Sequence, residues 1–323
     1  MRFAKTGAAL LAALILAMKT GLAPIGPANA DEYPSKDIQY IVQAGVGGGS
    51  DILARTLAKI LVDEKMLPVK VLVENRPGGA GTIAYSFIAN HKGDPYMLGG
   101  VGVSFFTTPL LGNSPVTYRD FTPLAAIGRS PYILAVRADS KVQSINDIKA
   151  NPGLRAGTAA AVSDPTLLSA WLGKEIDTEI RVVPFDGEGE VLAAILGGHI
   201  DLIFGNPNEI LEQVKAGSLR PLAVTAEERM ASLPDVPTFK ELGIDIVHTQ
   251  LRGIIMPPDQ DPEVVAYWED VLRKVAESDA WRKQYVERFS EVPAFVGSEE
   301  FAAEMERTSA IYETLMRDLG MIN

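Results

Sequence analysis

The hydrophobic pattern of the chain alternates between short continuous runs and longer amphipathic stretches. Residues 38–43 (IQYIVQ) form an apolar run that ends near glycines, which is typical of a buried parallel strand. The next stretch predicts a helix with one buried face, made by Leu53, Leu57, Ile60 and Leu61. Runs at 69–73 and 97–103 predict two further strands. A helix starting near Gly81 between them would bury Ile83, Phe87 and Ile88. This order predicts a parallel sheet with right-handed crossovers.

A second unit with the same alternation begins after residue 130. The run at 132–136 predicts its first strand, and short apolar runs alternate with helical segments up to residue 225. Two long amphipathic stretches, 262–288 and 298–319, follow. The predicted fold class is therefore α/β, with two units that each contain a mainly parallel sheet flanked by helices.

The first thirty residues have the pattern of an export signal. Arg2 and Lys5 precede an apolar run at 8–18, which is shorter than the roughly 18 residues that a membrane-spanning helix needs. Helix-breaking Gly and Pro follow, and then Ala-Asn-Ala at 28–30, which matches an A-x-A cleavage site. We expect cleavage after Ala30 and a periplasmic mature protein. An uncleaved membrane anchor is the alternative.

Composition and charge exclude several classes of function. The chain has 41 acidic and 30 basic residues, a net charge of −11, which argues against nucleic-acid binding. Loss of the predicted signal removes three basic residues and no acidic ones, so the mature charge would be −14. The absence of cysteine excludes thiol catalysis and disulfides, and the three histidines are far apart. We expect neither a metal nor a cofactor.

A glycine loop at residues 45–51 (GVGGGSD) joins the first strand to the first helix. Its backbone N–H groups and the helix N-terminus favour an anion, and Ser50 could cap that helix. A dinucleotide fingerprint would need a third glycine where Ser50 stands, and no Gly-Lys-Ser/Thr of a P-loop follows. A tight turn without a ligand is the alternative. Residues 157–164 (GTAAAVSD) repeat the design in the second unit, where small residues precede a helix start capped by Ser163. The pair of loops predicts a ligand held between the two units.

Other polar residues give no convincing catalytic constellation. Ser104 lacks the second glycine of a nucleophile elbow. Asp186, Glu188 and Glu190 could form an acid/base pair or bind calcium, although such runs are also typical of solvated turns. Arg252 enters an apolar strand, where it could clamp a carboxylate or lie exposed on a sheet edge.

Several motifs resemble those of the tripartite tricarboxylate transporter solute receptors, also called the Bug or TctC family. They span essentially the whole mature chain: YPSK at 33–36, GGGSD at 47–51, VENRPGG at 73–79, LRPLAVT at 219–225 and LPDVPTFKELG at 233–243. The acidic turn VPFDGEGE at 183–190 and the pair Arg252-Gly253 resemble the citrate-type branch of that family.

The resemblance implies a two-lobed periplasmic-binding-protein fold of the Venus-flytrap (type II-like) kind. It also implies that the protein is not an enzyme. Lobe I would comprise 31–130 and 251–323, and lobe II 131–250. Such a receptor closes on a small carboxylate, here citrate or another tricarboxylate, and delivers it as a monomer to the large and small subunits of a membrane permease. The alternatives are an aromatic carboxylate, a dicarboxylate or an acidic amino acid as ligand, or a sensing role beside a two-component system.

The resemblance also implies which residues hold the ligand. Backbone N–H groups of two loops would bind the carboxylate, through Gly47, Gly48, Gly49, Ser50 and Asp51 in the first loop and Thr158, Ala159, Ala160 and Ser163 in the second. Other residues would flank the cleft, namely Thr82, Ser104, Phe185, Asp186 and Asn206, with Arg252 as a candidate clamp.

Overall fold

Two β-sheets organise the computed structural model, which describes residues 33–159, 162–185 and 187–323. Residues Lys36–Asn323 form one compact unit. The first sheet contains β1 (Ile38–Val42), β2 (Val71–Asn75), β3 (Met97–Gly100), β4 (Thr122–Pro131), β10 (Thr249–Met256) and β11 (Val292–Gly297). The second contains β5 (Ile133–Arg137), β6 (Leu154–Thr158), β7 (Ile180–Pro184), β8 (Leu202–Gly205) and β9 (Leu219–Val224).

Both sheets are mixed rather than mainly parallel. Their strand orders are β11-β4-β10-β3-β1-β2 and β7-β6-β8-β5-β9. The predicted parallel pairing of β1 with β2 and β3 is confirmed, and β6 pairs in parallel with β7 and β8. The antiparallel pairs involve β10, β11 and β4 in one sheet and β5 in the other. The predicted α/β class with two sheets is confirmed. The antiparallel ladders were missed because they join strands distant in sequence.

Helices cover the faces of the sheets. They are α1 (Gly49–Asp63), α2 (Thr82–Ala89), α3 (Val103–Leu110), α4 (Ile145–Ala150), α5 (Asp164–Glu175), α6 (Glu188–Leu196), α7 (Pro207–Lys215), α8 (Pro262–Glu277), α9 (Asp279–Trp281) and α10 (Ser298–Asp318). The predicted single helix over 262–288 is interrupted at Ser278, whose backbone is extended and whose Oγ accepts a hydrogen bond from the Trp281 N–H at 3.0 Å. A π-helical segment, Arg282–Glu287, follows α9. Across the described residues, no helix combines the length and apolarity needed to cross a bilayer.

Helix starts differ in part from those predicted. The cap of α1 is Gly48 rather than Ser50, because the helix begins two residues earlier and Ser50 lies in its first turn. Ser163 caps α5 as predicted, and its Oγ accepts a hydrogen bond from the Thr166 N–H at 3.4 Å. In α2 the predicted core residue Ile83 is 54% exposed, while Tyr85 of the same helix is buried. A left-handed turn at Ala80 and Gly81 precedes this helix.

The helix α10 packs on strand β4 of the first sheet and on helix α3. Its buried residues, Phe301, Met305, Tyr312 and Met316, share one apolar cluster with residues from the N-terminal strands and helices. Close packing is most evident at Gly253 of β10, where an added Cβ would lie 2.2 Å from Phe301 Cζ. A glycine at this position therefore lets the last helix approach the centre of the first sheet.

We predict that Gly253→Ala lowers the free energy of unfolding by about 1–3 kcal/mol, because Phe301 is fully buried and cannot move away without strain. Chemical denaturation of the ligand-free protein measures this. Phe301→Leu in the same background should recover part of the loss. As a control, Gly189→Ala meets no atom within 4 Å in α6 and should be neutral or slightly stabilising. Equal effects of the two alanines would contradict the packing argument.

Candidate functional site

A cleft of about 690 Å³ lies where loops from the two sheets meet. The loops after β1, β2 and β3 line one side, and the loops after β6, β7 and β8 line the other. Residues at the carboxyl ends of parallel strands share one edge of a sheet, which is where ligands bind in open α/β folds. Two side chains of β10, Gln250 and Arg252, complete the lining.

The glycine loop after β1 is held in shape by Asp51. The carboxylate of Asp51 accepts hydrogen bonds from the Gly47 N–H at 2.9 Å, from Arg55 Nε at 3.0 Å and from Asn75 Nδ2 at 2.8 Å. Burial raises the pKa of Asp51, but the hydrogen bonds from Arg55, Gly47 and Asn75 outweigh it, so the pKa lies below its ordinary value. Gly47 has a φ of +86°, which favours glycine. Asp51 thus supports the loop from behind rather than lining the cleft.

A polar residue at the end of β1 also lines the cleft. Gln43 Nε2 donates a hydrogen bond to Ser50 Oγ at 2.9 Å, while Gln43 Oε1 is buried without a partner among the described residues. An added Cβ at Gly102 would lie 2.7 Å from Gln43 Nε2, so a glycine there makes room for the amide. Sequence reasoning missed Gln43, although a polar residue that ends an apolar strand next to a glycine loop is a usable signal.

Arg252 is buried in the centre of the first sheet, with 1% of its surface exposed. Its Nη2 donates to Ser130 Oγ at 2.8 Å and to Glu291 Oε1 at 3.4 Å, and Ser130 Oγ donates to Glu291 Oε1 at 2.9 Å. Its Nε has no partner among the described residues. Because β10 lies between β3 and β4, the edge-strand interpretation of Arg252 is wrong.

The guanidinium of Arg252 lies against the glycine loop. An added Cβ at Gly49 would be 3.2 Å from both Nη1 and Nη2 of Arg252, and 3.3 Å from Asn208 Nδ2 of α7. The β4–β10 ladder shifts register between Leu251 and Gly253, and such irregularities re-aim a side chain. The absence of a side chain at Gly49 therefore lets a cation from the sheet and an amide from the second unit reach the same loop.

Two glutamates lie on the opposite wall, at the starts of α6 and α7. Burial, together with the negative charge of Glu209, raises the pKa of Glu188 to about 8. Burial also raises the pKa of Glu209 to about 7, against the opposing effects of the Asn206 N–H and Arg252. Glu209 was missed by sequence reasoning. Its signal is the capping-box spacing of Asn206 and Glu209 directly after an apolar strand.

The second loop, residues 157–164, is anchored by Asp164. This residue is buried and directly follows Ser163, the N-cap of α5. Asp164 Oδ2 accepts a hydrogen bond from the Tyr132 hydroxyl at 2.8 Å, and Asp164 Oδ1 accepts one from the Tyr312 hydroxyl at 2.7 Å. His248 Nε2 lies 2.8 Å from the same Oδ1. Burial would raise the pKa of Asp164, but His248 and the two hydroxyls hold it below its ordinary value. Since Tyr312 belongs to α10, the start of α5 is tied to the first sheet.

The structure brings most of the predicted site residues together. Those on the cleft lining are Gly47, Gly48, Gly49, Ser50, Ser104, Ala159, Ser163, Asn206 and Arg252. Asp51 lies behind the loop, and the Thr82 hydroxyl donates to the Asn113 carbonyl at 3.3 Å. Thr158 is buried in β6, and its carbonyl accepts from the Phe185 N–H at 2.8 Å. The side chain of Phe185 packs against an apolar core cluster.

Three earlier interpretations cannot be placed in the structure. Ala160, Asp186 and the export signal at 1–30 lie outside the described residues. In the part of the chain that is described, no group of three or more His, Cys, Asp or Glu side chains is arranged to hold a metal ion.

Comparison with known proteins gives consistent matches. A family model described as "Tripartite tricarboxylate transporter family receptor" matches residues 53–315. Protein BugT of Bordetella pertussis is 30% identical over 267 residues, which cover 79% of this chain and 80% of BugT.

Solved structures agree with the fold. A TctC solute binding protein from Polaromonas superposes with a TM-score of 0.73 at 30% identity, covering 88% of this chain and 99% of that one. A structure of an R. palustris protein with adipate has a TM-score of 0.81 at 26% identity, covering 90% of this chain and 99% of that one. These likenesses confirm the predicted two-lobed fold of a solute-binding protein.

We predict that Asp51→Asn lowers the free energy of unfolding by about 1–3 kcal/mol at pH 7, because charge-assisted hydrogen bonds to the glycine loop are lost. The folded-state pKa of Asp51 is lowered, so its stabilisation is fully present above the ordinary value of 3.8 and is lost as pH falls through the lower folded value. Denaturation at pH 7 and pH 3 should show the difference between wild type and variant shrinking at low pH.

Asp63→Asn is the matched control, since Asp63 lies at the far end of α1 with its side chain 47% exposed. It should change stability little at either pH. A difference between wild type and Asp51→Asn that stays constant from pH 7 to pH 3 would contradict the role given to the carboxylate.

Proposed function

The chain belongs to the tripartite tricarboxylate transporter receptor family, a family of solute-binding receptors, and we propose that it captures a small carboxylate between its two lobes and delivers it to a membrane permease. Lobe I comprises 31–130 and 251–323, and lobe II comprises 131–250. The membership of the sheets supports this division, because β4 and β10 belong to one sheet while β5 to β9 form the other. The protein acts without a cofactor and without catalysis, as a receptor of this family would.

The buried guanidinium of Arg252 against the glycine loop is the observation that carries the proposal. Arginine presents several N–H donors in a planar fork that matches a carboxylate, and the Nε of Arg252 has no hydrogen-bond partner within the described part of the chain. The glycine loop adds backbone N–H groups at the start of α1, where the helix end favours a negative charge. A ligand carboxylate placed between them would receive donors from both.

Closure of the lobes follows from the same geometry. Gly49 of lobe I and Asn208 of lobe II approach the same point. A ligand at that point therefore gains donors from both lobes only when the cleft is closed. Such a difference in contacts shifts the population toward the closed form. The large and small permease subunits then recognise the surface of the closed form. The protein works as a periplasmic monomer after loss of residues 1–30.

Among carboxylates, citrate or another tricarboxylate is the candidate that the citrate-type motifs favour. A dicarboxylate is supported by the R. palustris relative with adipate, which is 26% identical. An aromatic carboxylate or an acidic amino acid is a further candidate. A sensing role beside a two-component system would use the same ligand, and the two roles are distinguished by pull-down of the ligand-bound protein with permease subunits or with a sensor-kinase ectodomain.

The net charge of −11 does not oppose this function. The Debye length is about 8 Å at physiological salt, so charges on the far surface are screened from the ligand. Attraction therefore depends on the local donors of the cleft and not on the field of the whole protein.

We predict that the purified mature protein binds at least one di-, tri- or amino-carboxylate in titration calorimetry. Arg252→Lys and Gly49→Ala should each weaken the tightest ligand by about tenfold or more, because lysine loses the planar fork and the alanine Cβ displaces the guanidinium. Thermal unfolding without ligand shows whether each variant is folded.

Arg129→Lys provides the control. Arg129 lies on β4 and pairs with Glu304, outside the cleft lining, so its substitution should leave affinity unchanged. If no carboxylate in the panel binds the folded protein, the proposed function is wrong.

A further inference from the structure

Two carboxylates in the cleft have no role in holding a ligand carboxylate. Glu188 begins α6 and Glu209 lies in the first turn of α7, and both line the cleft. Glu209 Oε2 accepts a hydrogen bond from the Asn206 N–H at 2.9 Å, while its Oε1 has no partner among the described residues. The carboxylate of Glu188 makes no hydrogen bond or ion pair with any described residue. Helix capping therefore accounts for one of the four carboxylate oxygens of Glu188 and Glu209.

The negative charges of Glu188 and Glu209 favour a cation between them. The charge of Glu209 raises the pKa of Glu188, and the charge of Glu291 acts on Glu209 in the same direction. The basic group that offsets the charge on Glu209 is Arg252, which is already hydrogen-bonded to Glu291 and Ser130. Two carboxylates, those of Glu209 and Glu291, thus interact with one guanidinium, and Glu188 adds a third carboxylate beside Glu209. A tricarboxylate would add three negative charges to this surplus, whereas a ligand with a positive group would neutralise part of it.

The cleft also contains an independent sign of a ligand. Arg252 is buried with 1% exposure, its Nε is unpartnered among the described residues, and its guanidinium lies against Gly49 of the glycine loop. One wall of the cleft therefore offers donors to an anion, and the starts of α6 and α7 offer acceptors to a cation. A ligand that carries both charges satisfies both walls.

We infer that the receptor selects a small carboxylate that carries a protonated amine, with the ligand carboxylate on Arg252 and the glycine loop and the ammonium group between Glu188 and Glu209. The inference rests on the proposed function, because it names the class of ligand for the same cleft. It assigns Glu188 and Glu209 as residues that determine specificity.

The test compares ligands that differ only in the amine. Titration calorimetry measures the affinity of the mature protein for aspartate against succinate and for glutamate against glutarate, with citrate as the tricarboxylate and malate as the hydroxyl analogue. In at least one pair the amine should tighten binding by about tenfold or more, since hydrogen bonds between ionised groups are strong in a desolvated cleft. Citrate should bind more weakly than the preferred amino-carboxylate.

Isosteric variants locate the effect. Glu188→Gln and Glu209→Gln should each reduce the preference for the amine by about tenfold and leave the affinity for the matched plain carboxylate equal or higher. Glutamine at 209 can still accept from the Asn206 N–H, so the helix cap is kept. Glu212→Gln on the same α7 is the control, because Glu212 has a side chain 82% exposed and pairs with Lys215.

Proton linkage gives a second readout that a merely structural role would not produce. An ammonium group beside Glu188 and Glu209 lowers their pKa values, so binding near pH 7.5 should release protons. A plain carboxylate in the same cleft raises them and should take protons up. The charged or titratable groups that face Glu188 and Glu209 are Arg252, Glu291 and Tyr132. The pKa values of Glu291 and Tyr132 are raised. Calorimetry in buffers of different ionisation enthalpy measures the sign.

The outcomes separate this inference from the proposed function. Equal affinities within each ligand pair, or an unchanged preference in both glutamine variants, would overturn the amine site while leaving a carboxylate receptor. A preference for citrate that requires magnesium and disappears with a chelator would replace the ammonium by a metal ion and also overturn it. No binding by any carboxylate would overturn the proposed function itself.

Discussion

A single buried guanidinium holds the centre of the first sheet and faces the cleft. Arg252 links three strands or their ends, because its partner Ser130 lies on β4 and Glu291 directly precedes β11. Removing one member of such a buried group leaves the other charge unpaired in a medium of low dielectric constant, which costs more than the pair itself contributes. Burial raises the pKa of Glu291 and Arg252 opposes that shift, so the two depend on each other. The next residue, Gly253, faces the other side of the strand and admits Phe301.

The second point on which the cleft depends is Asp164. It joins the start of α5 to α10 through Tyr312 and to the entry of β10 through His248. Of these contacts, the one with Tyr312 runs between the second sheet's helices and the helix that packs on the first sheet. Any movement that opens the cleft must either keep this contact as a pivot or break the hydrogen bond between the Tyr312 hydroxyl and the buried carboxylate. A pivot is the less costly of the two, since loss of a hydrogen bond to a buried charged group is unfavourable.

The distribution of charge in the cleft relates the fold to the choice of ligand. The glycine loop and Arg252 form a wall that donates hydrogen bonds, and Glu188 and Glu209 form one that accepts them. Both walls are built from strand ends and helix starts, so rigid elements position the charged groups. A receptor that must hold and then release its ligand benefits from this arrangement, because separation of the walls weakens both sets of contacts together.

Local patterns of sequence determined much of the fold. The apolar run at β1, the helical spacing of α1 and the cap at Ser163 depend on neighbouring residues, so periodicity and capping rules located them. The glycine loop was predicted as an anion site for the same reason, and the structure places it on the cleft lining. Motif resemblance added the family and most of the loops that line the cleft.

The tertiary structure alone decided the partners. Arg252 could not be distinguished from an exposed edge residue until β10 was placed between β3 and β4, since a ladder between distant strands leaves no local signal. Glu209 meets Glu188 only because α6 and α7 start at the same edge of the second sheet, and Asp51 turns behind its loop because Arg55 and Asn75 hold it there. Sequence periodicity tells which face of an element is buried. What that face meets depends on the packing of segments far apart in the chain.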